Sequence, residues 1–219
     1  VMERREALGR LLSREEGKTL AEGMGETVRA GRVLKYFAGE ALRVHGQNLA
    51  SVRPGVEIQT YRQAVGVYGL ITPWNFPIAI PAWKIAPALC FGNCVVFKPA
   101  ERVPSSAWAL AEIISRAGLP GGVFNLLIGP GRSVGDTLIR SPLVDGISFT
   151  GSEHTGRQIA RLAAEGMKKV QLEMGGKNPL IVLDDADLEQ AVEVALNGSF
   201  YSTGQRCTAS SRVIVTEGI

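Results

Sequence analysis

Cysteine and histidine are scarce in this sequence. It contains three cysteines and two histidines among 219 residues. A small, odd number of cysteines argues against a disulfide-stabilised extracellular scaffold. Cys90 and Cys94 are close in sequence, but no histidine or further cysteine lies near enough to complete a zinc site. We therefore interpret both as small buried apolar residues and expect a reducing, cytoplasmic environment.

Long hydrophobic runs and an excess of one charge are also absent. No apolar run approaches the roughly 20 residues that a membrane span requires, and the charged segment 1–14 does not resemble a signal peptide. The 24 basic and 21 acidic residues are interspersed, so we expect neither nucleic acid nor membrane as a partner. With 45% hydrophobic residues the chain can bury a substantial core. The sequence begins inside a helical pattern and stops just after a strand-like run, so we expect it to be a piece of a longer polypeptide.

The order of apolar patterns predicts an α/β fold. In the first fifty residues apolar side chains recur at helical spacing, which predicts helices. Residues 47–54 are predicted to form a loop, and apolar and polar residues alternate at 56–63 as in an exposed strand. From residue 65 short apolar runs alternate with helical stretches, which predicts a Rossmann-like parallel sheet with helices on both faces. The predicted strands are 65–71, 94–98, 123–128, 146–150, 169–173 and 180–183. The predicted helices are 80–91, 105–117, 132–140, 153–164 and 188–198.

Two glycine-containing turns are candidates for binding phosphate, because parallel sheets bind ligands at the carboxyl ends of their strands. The turn that begins at Gly129 opens a helix, but it is one residue too long for the dinucleotide fingerprint. The turn with Gly151 and Ser152 also joins a strand to a helix, and Ser152 is placed to cap that helix. Backbone N–H groups at such a helix start attract a pyrophosphate. An ordinary capped turn would give the same pattern.

Charged residues follow two further strands. Lys98 and Glu101 could donate to and accept from ribose hydroxyls, and the alternative is a solvated charge pair. Glu173 ends a predicted buried strand and is followed by two glycines, which leave room beside its carboxylate. Partial burial there would suit a general base. The alternative is a charge that ends a strand beside a turn.

Two polar loops carry a thiol and an amide. Cys207 lies in a glycine-containing loop rather than in an apolar run, which is consistent equally with a reactive thiol and with a small loop residue. Arg206 beside it could stabilise a thiolate. Asn75 lies between two prolines at a strand end, and its side-chain N–H₂ group is a suitable oxyanion donor. A rigid turn without chemistry is the alternative for this second loop.

Five runs, in this order, together resemble the aldehyde dehydrogenase superfamily from about residue 20 to the end. They are ITPWNFP at 71–77, FKPAE at 97–101, FTGS at 149–152, LEMGGKNP at 172–179 and GQRCT at 204–208. The resemblance implies an enzyme that oxidises a small-molecule aldehyde to the carboxylic acid with NAD, NADP being possible. It also implies the family's cofactor domain, truncated before most of the catalytic domain.

The resemblance assigns roles to individual residues. Cys207 is implied as the nucleophile, Glu173 as the general base and Asn75 as an oxyanion donor. The residues implied at the cofactor are Ile71, Thr72, Trp74, Lys98, Glu101, Gly129, Gly151, Ser152, Met174 and Gly175. The residues implied at the aldehyde tunnel are Phe76 and Trp83. No metal is implied.

The resemblance also implies a domain organisation. It places the N-terminal helical part of the cofactor domain at 1–55, a bridging and oligomerisation strand at 56–64, the dinucleotide-binding domain at 65–203, and the cysteine loop with the start of the catalytic domain at 204–219. A homodimer or homotetramer is expected of the full-length protein.

Finer specificity depends on single positions. Glu173 favours water as the acyl acceptor, because CoA-acylating relatives generally lack this carboxylate. Glu101 favours NAD, since a carboxylate repels a 2′-phosphate, although Arg132 could offset that repulsion. The run 204–215 most resembles semialdehyde dehydrogenases, with 2,5-dioxopentanoate first and succinate semialdehyde second. The alternatives are a CoA-acylating enzyme and a non-catalytic, crystallin-like protein of the same fold.

Overall fold

The computed structural model describes all 219 residues and begins with two helices. α1 spans Arg5–Glu16 and α2 spans Leu20–Glu40. α1 ends at Gly17, whose φ of 92° is readily adopted only by glycine. Thr19 starts α2 with a capping box, in which its side chain and that of Glu22 each accept from the other's backbone N–H. Two local signals therefore set the turn between the helices.

A hairpin follows, made of β1 (Gln47–Ala50) and β2 (Glu57–Thr60), which pair antiparallel. The exposed strand predicted at 56–63 is confirmed, but the loop predicted at 47–54 is wrong for its first four residues. Both strands are exposed along their whole length. β1 therefore has no buried face to mark it in the sequence, and its pairing with β2 satisfies its backbone groups.

Five parallel strands form the main sheet in the order β5-β4-β3-β6-β7. They are β3 (Val67–Ile71), β4 (Cys94–Lys98), β5 (Phe124–Leu126), β6 (Gly146–Gly151) and β7 (Lys169–Met174). The helices between them are α3 (Ala79–Cys90), α4 (Pro104–Ser115), α5 (Asp136–Arg140) and α6 (Glu153–Glu165). A π-helical turn, Gly131–Gly135, replaces the start of the helix predicted at 132–140. The predicted parallel α/β sheet is confirmed.

Helices cover both faces of this sheet. On one face, Leu70 and Phe97 pack with Ile85 of α3 and with α4. On the other face, Ile147 and Phe149 pack with α5 and α6. A third apolar cluster joins α1 and α2 to α3. Because strand side chains alternate, the α3 face of β6 and β7 receives the intervening residues, which are polar.

The last part of the chain forms a second, two-stranded sheet. β8 (Asn178–Val182) pairs parallel with β9 (Ser210–Val215), and α7 (Leu188–Phe200) connects them. The strand predicted at 180–183 therefore belongs to this sheet rather than to the main one. The proposed domain boundaries stay a prediction.

Cys90 and Cys94 are half-buried rather than buried, and the Cys90 thiol donates to the carbonyl oxygen of Phe37 at 3.2 Å. No group of three or more His, Cys, Asp or Glu residues is arranged to hold a metal ion. None of the helices combines the length and the apolar character that crossing a bilayer would require.

Candidate active site

The Cys207 side chain lies where two cavities meet at the carboxyl edge of the main sheet. One cavity, of about 310 Å³, runs past Asn75, Ser152 and Met174. The other, of about 590 Å³, reaches between the sheet and α3 and includes Glu173 in its wall. Cys207 lines both cavities and its residue is exposed. The structure thus brings a thiol, an amide and a carboxylate from distant parts of the sequence to one edge of the sheet.

The loop that carries Cys207 has an unusual backbone. Ser202 and Thr203 both have a φ of 54°, and Gly204 follows with a φ of 70°. Non-glycine residues rarely adopt this region, so the surrounding contacts must hold them there. One such contact is the Ser202 N–H, which donates to the Glu22 carboxylate at 2.7 Å. Ser202 thereby links the cysteine loop to the start of α2.

Side-chain amides fix the loop from two sides. The Asn178 amide donates to the carbonyl oxygens of Cys207 at 2.7 Å and Ala209 at 3.1 Å. The Asn75 amide donates to the carbonyl oxygen of Gln205 at 2.8 Å, while its own oxygen is buried without a partner. One Asn75 N–H therefore ties the two loops together, and its second N–H remains for another acceptor. The Cys207 backbone N–H makes no hydrogen bond within the chain.

Arg206 does not take the place expected beside the thiol. Its guanidinium donates to the carbonyl oxygens of Asn197 at 2.9 Å and Gly198 at 2.7 Å, and it stacks over the Tyr201 ring. These carbonyls belong to the last turn of α7, where a helix leaves acceptors without intrahelical donors. The expectation that Arg206 stabilises a thiolate is corrected, because its hydrogen bonds serve the helix end.

Several of the expected cofactor residues follow β3, β4 and β6. Ser152 caps α6 by accepting from the Thr155 N–H, which confirms the predicted N-cap. Lys98 is buried and donates to the Pro99 carbonyl at 2.9 Å, and burial lowers its pKa while exposed Glu101 opposes that shift. Thr72 is buried and its hydroxyl has no partner.

The remaining expected residues differ in what they contribute. Trp74 lines the smaller cavity with Gly151, Met174 and Gly175, and half-buried Ile71 ends β3. At Gly129, a Cβ atom would lie 2.4 Å from the Val134 side chain, so this glycine serves close packing. Neither cavity that Cys207 lines includes Ile71 or Gly129 in its wall.

The two residues expected at the aldehyde tunnel are placed differently. Trp83 lines the larger cavity that contains Cys207 and Glu173. Phe76 lines a separate cavity of about 160 Å³, where the Lys18 ammonium lies 4.3 Å from its ring centroid. Glu173 is exposed rather than partly buried. The structure therefore places Trp83, but not Phe76, in a cavity that Cys207 also lines.

A polar network beside Glu173 was not identified from the sequence. Lys84 of α3 donates to the Ser148 hydroxyl at 2.8 Å and to the Gln171 side-chain oxygen at 3.1 Å. Gln171 donates in turn to Glu173 at 3.1 Å. Burial lowers the pKa of Lys84 from its ordinary value of 10.5 to about 8, and the nearby Glu173 charge opposes the shift. In the sequence, the feature that could have indicated this network is the two-residue spacing of Gln171 and Glu173, which places both side chains on one face of a strand.

A second polar cluster supports the Asn75 loop. Lys18 donates to the Glu26 carboxylate at 2.6 Å and to the Asn75 carbonyl at 2.8 Å. Glu26 also accepts from the Ile78 N–H at 2.8 Å and the Ala79 N–H at 3.0 Å, at the start of α3. Glu16 lies 3.6 Å from Lys18, and burial raises its pKa. No sequence pattern pointed to this cluster, since its contacts with the Asn75 loop and the start of α3 join residues more than fifty positions apart.

Comparison with known proteins identifies the family of the chain. The aldehyde dehydrogenase family model matches residues 1–219, including the first 20 residues, which the sequence motifs had left out. The chain is 49% identical to the α-ketoglutaric semialdehyde dehydrogenase of Bacillus subtilis, over 100% of this chain and 45% of that protein. It is 44% identical to the NADP-dependent succinate-semialdehyde dehydrogenase of Escherichia coli, over 100% of this chain and 45% of that protein.

A solved relative shows the same fold. The structure of the betaine aldehyde dehydrogenase of Staphylococcus aureus in complex with NAD⁺ superposes with a TM-score of 0.96 at 43% identity, covering 99% of this chain and 43% of that one. The chain belongs to the aldehyde dehydrogenase family. It spans about 45% of the length of the curated relatives it matches.

Proposed function

We propose that this chain supplies the nucleophile, the general base and much of the cofactor surface of an NAD(P)-dependent aldehyde dehydrogenase. The proposal rests on the position of Cys207, whose side chain lines both the cavity of Asn75 and Ser152 and the cavity of Glu173. A nucleophile at such a border can be approached by a cofactor from one side and by an aldehyde from the other.

The residues at the sheet edge fit a nicotinamide dinucleotide. The capped start of α6 presents backbone N–H groups suited to a pyrophosphate. The Thr72 hydroxyl is buried and unpartnered nearby, and a Cβ at Gly175 would meet nothing within 4 Å, so the backbone is open there. Lys98 and Glu101 at the end of β4 offer a donor and an acceptor for ribose hydroxyls. The nicotinamide, when bound, accepts the hydride that leaves the substrate carbon.

The chemistry of acid formation follows from the three side chains. The Cys207 thiolate attacks the aldehyde carbon, a C–S bond forms, and the carbonyl oxygen becomes an oxyanion. The free Cys207 N–H and the second Asn75 N–H are the donors for that oxyanion. Loss of the hydride leaves a thioester on Cys207. Glu173 takes a proton from water, the water oxygen attacks the thioester, and cleavage of the C–S bond releases the acid and the thiolate.

The substrate we propose is a short semialdehyde, with 2,5-dioxopentanoate first and succinate semialdehyde second. The similarity to the α-ketoglutaric and succinate-semialdehyde dehydrogenases supports this choice. NAD is the proposed cofactor, because Glu101 lies just after the ribose-binding Lys98, with NADP as the second choice. We also propose a cytoplasmic homo-oligomer, as the resemblance implies.

The test is a comparison of Cys207→Ala with the unchanged complete polypeptide. The variant is expected to lose NADH formation by at least about a thousandfold, because no thioester can form, while its affinity for NAD changes little. Cys90→Ala, a half-buried thiol outside both cavities, is the matched control and should retain activity. The panel contains 2,5-dioxopentanoate, succinate semialdehyde and betaine aldehyde, each with NAD and NADP. An active Cys207→Ala, or turnover that requires CoA and yields an acyl-CoA in place of the acid, would contradict the proposal.

A further inference from the structure

The network beside Glu173 has an order that the sheet imposes. Gln171 and Glu173 are two residues apart on β7, so their side chains share one face of the sheet. On the neighbouring strand β6, Ser148 stands opposite Gln171 and Thr150 opposite Glu173. Lys84 reaches this face from α3. These five polar residues therefore meet between the sheet and α3, in the wall of the cavity that Cys207 also lines.

The donors around Gln171 fix the orientation of its amide. The Lys84 ammonium can only donate, and it donates to the Gln171 side-chain oxygen at 3.1 Å. The Ser148 hydroxyl donates to the same oxygen. With its oxygen held by two donors, the amide must turn its N–H₂ group toward the Glu173 carboxylate, which accepts at 3.1 Å. A glutamine is thus oriented by a buried cation so that it donates to an exposed anion.

We propose that Gln171 is a positioning residue for the general base of the reaction, an inference that rests on the function proposed above. Its N–H holds one oxygen of Glu173 and leaves the other free to accept a proton from water. Gln171 acts through Glu173, so its effect falls on thioester hydrolysis and not on hydride transfer.

The test separates these two steps in the complete polypeptide with 2,5-dioxopentanoate and NAD. Gln171→Met keeps the length of the side chain and removes its donor and its acceptor. We expect the rate of the first NADH turnover to stay within about twofold, while the thioester, followed by rapid quench and intact-protein mass spectrometry, persists about tenfold longer, as loss of one hydrogen bond to a charged group predicts.

Controls distinguish positioning from a structural effect. Lys169→Leu changes the residue two positions earlier on the same strand and should leave the thioester lifetime unchanged. Ser148→Ala removes one of the two donors that orient Gln171, and it should lengthen the thioester lifetime by a smaller factor. If Gln171→Met does not fold, Ser148→Ala decides the question alone. Unchanged thioester lifetimes in Gln171→Met and Ser148→Ala would overturn the role of Gln171. Equal losses in hydride transfer and in thioester hydrolysis would overturn it as well. Absence of any aldehyde-dependent NADH in the unchanged protein would instead refute the proposed function.

Discussion

At the scale of single residues, the site depends on side chains whose hydrogen-bonding capacity is only partly used within the chain. Asn75 uses one of its N–H groups on the Gln205 carbonyl, and the Cys207 N–H makes no internal hydrogen bond. Donors left open beside an exposed thiol are what an oxyanion intermediate requires. Arg206, in contrast, has its hydrogen bonds committed to the end of α7. The proposed chemistry therefore uses neutral amide donors rather than a neighbouring cation.

Glu173→Gln is expected to separate acyl-enzyme formation from hydrolysis. The amide cannot take a proton from water, so one NADH per active site should form in a burst while steady-state turnover falls by about 10²–10⁴-fold. Burst amplitude and turnover in a stopped-flow experiment measure both quantities. Glu165→Gln, at the far end of α6, is the control and should behave as the unchanged protein. Normal turnover of Glu173→Gln would remove this carboxylate from its proposed role.

The sequence pointed to the residues that we propose as nucleophile, base and oxyanion donor, and it missed those that we propose act through a partner. Cys207, Glu173 and Asn75 stand out because each polar group follows an apolar strand or interrupts a loop. Lys84 and Gln171 do not stand out, since a lysine on a helix and a glutamine on a strand are ordinary residues. Lys84 and Gln171 become neighbours only because α3 packs against β6 and β7. Contacts of this kind depend on tertiary structure and have no local pattern.

At the scale of elements, α3 is the helix on which the site depends most. Its N-cap, Ile78, has no side chain that can cap the first turn. Glu26 of α2 replaces that cap by accepting from the Ile78 and Ala79 N–H groups, and Lys18 joins the same carboxylate to the Asn75 carbonyl. One buried ion pair therefore fixes both the start of α3 and the Asn75 loop.

Glu26→Leu is expected to lower the free energy of unfolding by about 3 kcal/mol, because it leaves the buried Lys18 with only the more distant Glu16 carboxylate, at 3.6 Å, as an ionic partner. The loss of two backbone acceptors at the start of α3 acts in the same direction. Urea unfolding midpoints measure the change. Glu6→Leu, which removes an exposed pair with Arg10, is the control and should cost less than about 1 kcal/mol. A loss below 1 kcal/mol in Glu26→Leu would show that the pair is not essential to this packing.

Element boundaries were predictable where burial was strong. The bounds predicted for β4 match the structure, because its apolar run is covered by helices on both faces. β1 was missed because it has no buried face. β8 was found as a strand but assigned to the wrong sheet, since an apolar run indicates burial and not the identity of its partner. Sheet order is a property of long-range pairing, which the local pattern does not contain.

At the scale of the whole molecule, burial is uneven along the chain. The largest fully buried side chains include Phe97 and Ile147 of the main sheet, Leu8 of α1 and Ile85 of α3. In contrast, α7 has no buried residue, and β9 is exposed along almost its whole length. The stability of the chain therefore comes mainly from the five-stranded sheet and the helices α1 to α6. A group buried between that sheet and α3 should affect the free energy of unfolding of the whole unit.

Lys84 is such a group, and its pKa makes the stability of the molecule depend on pH. Burial lowers the pKa to about 8 in the folded state, against an ordinary value of 10.5, while Glu173 across the network opposes the shift and Ser148 and Gln171 accept its hydrogen bonds. Between these two pKa values the unfolded chain binds the proton more readily than the folded one. The contribution of Lys84 to the free energy of unfolding therefore rises with pH in this window and is constant below it.

Lys84→Met should remove that rise. The free energy of unfolding of the unchanged protein is expected to gain about 1–2 kcal/mol relative to the variant between pH 7.5 and 9.5. Lys98, whose pKa is also lowered, is retained in both proteins and cancels in the difference. Urea titrations at several pH values in this range give the two curves, and Lys35→Met, an exposed lysine on α2, should run parallel to the unchanged protein. Parallel curves for Lys84→Met as well would mean that Lys84 keeps its ordinary pKa in the folded state, and that the ammonium between the sheet and α3 is solvated rather than buried.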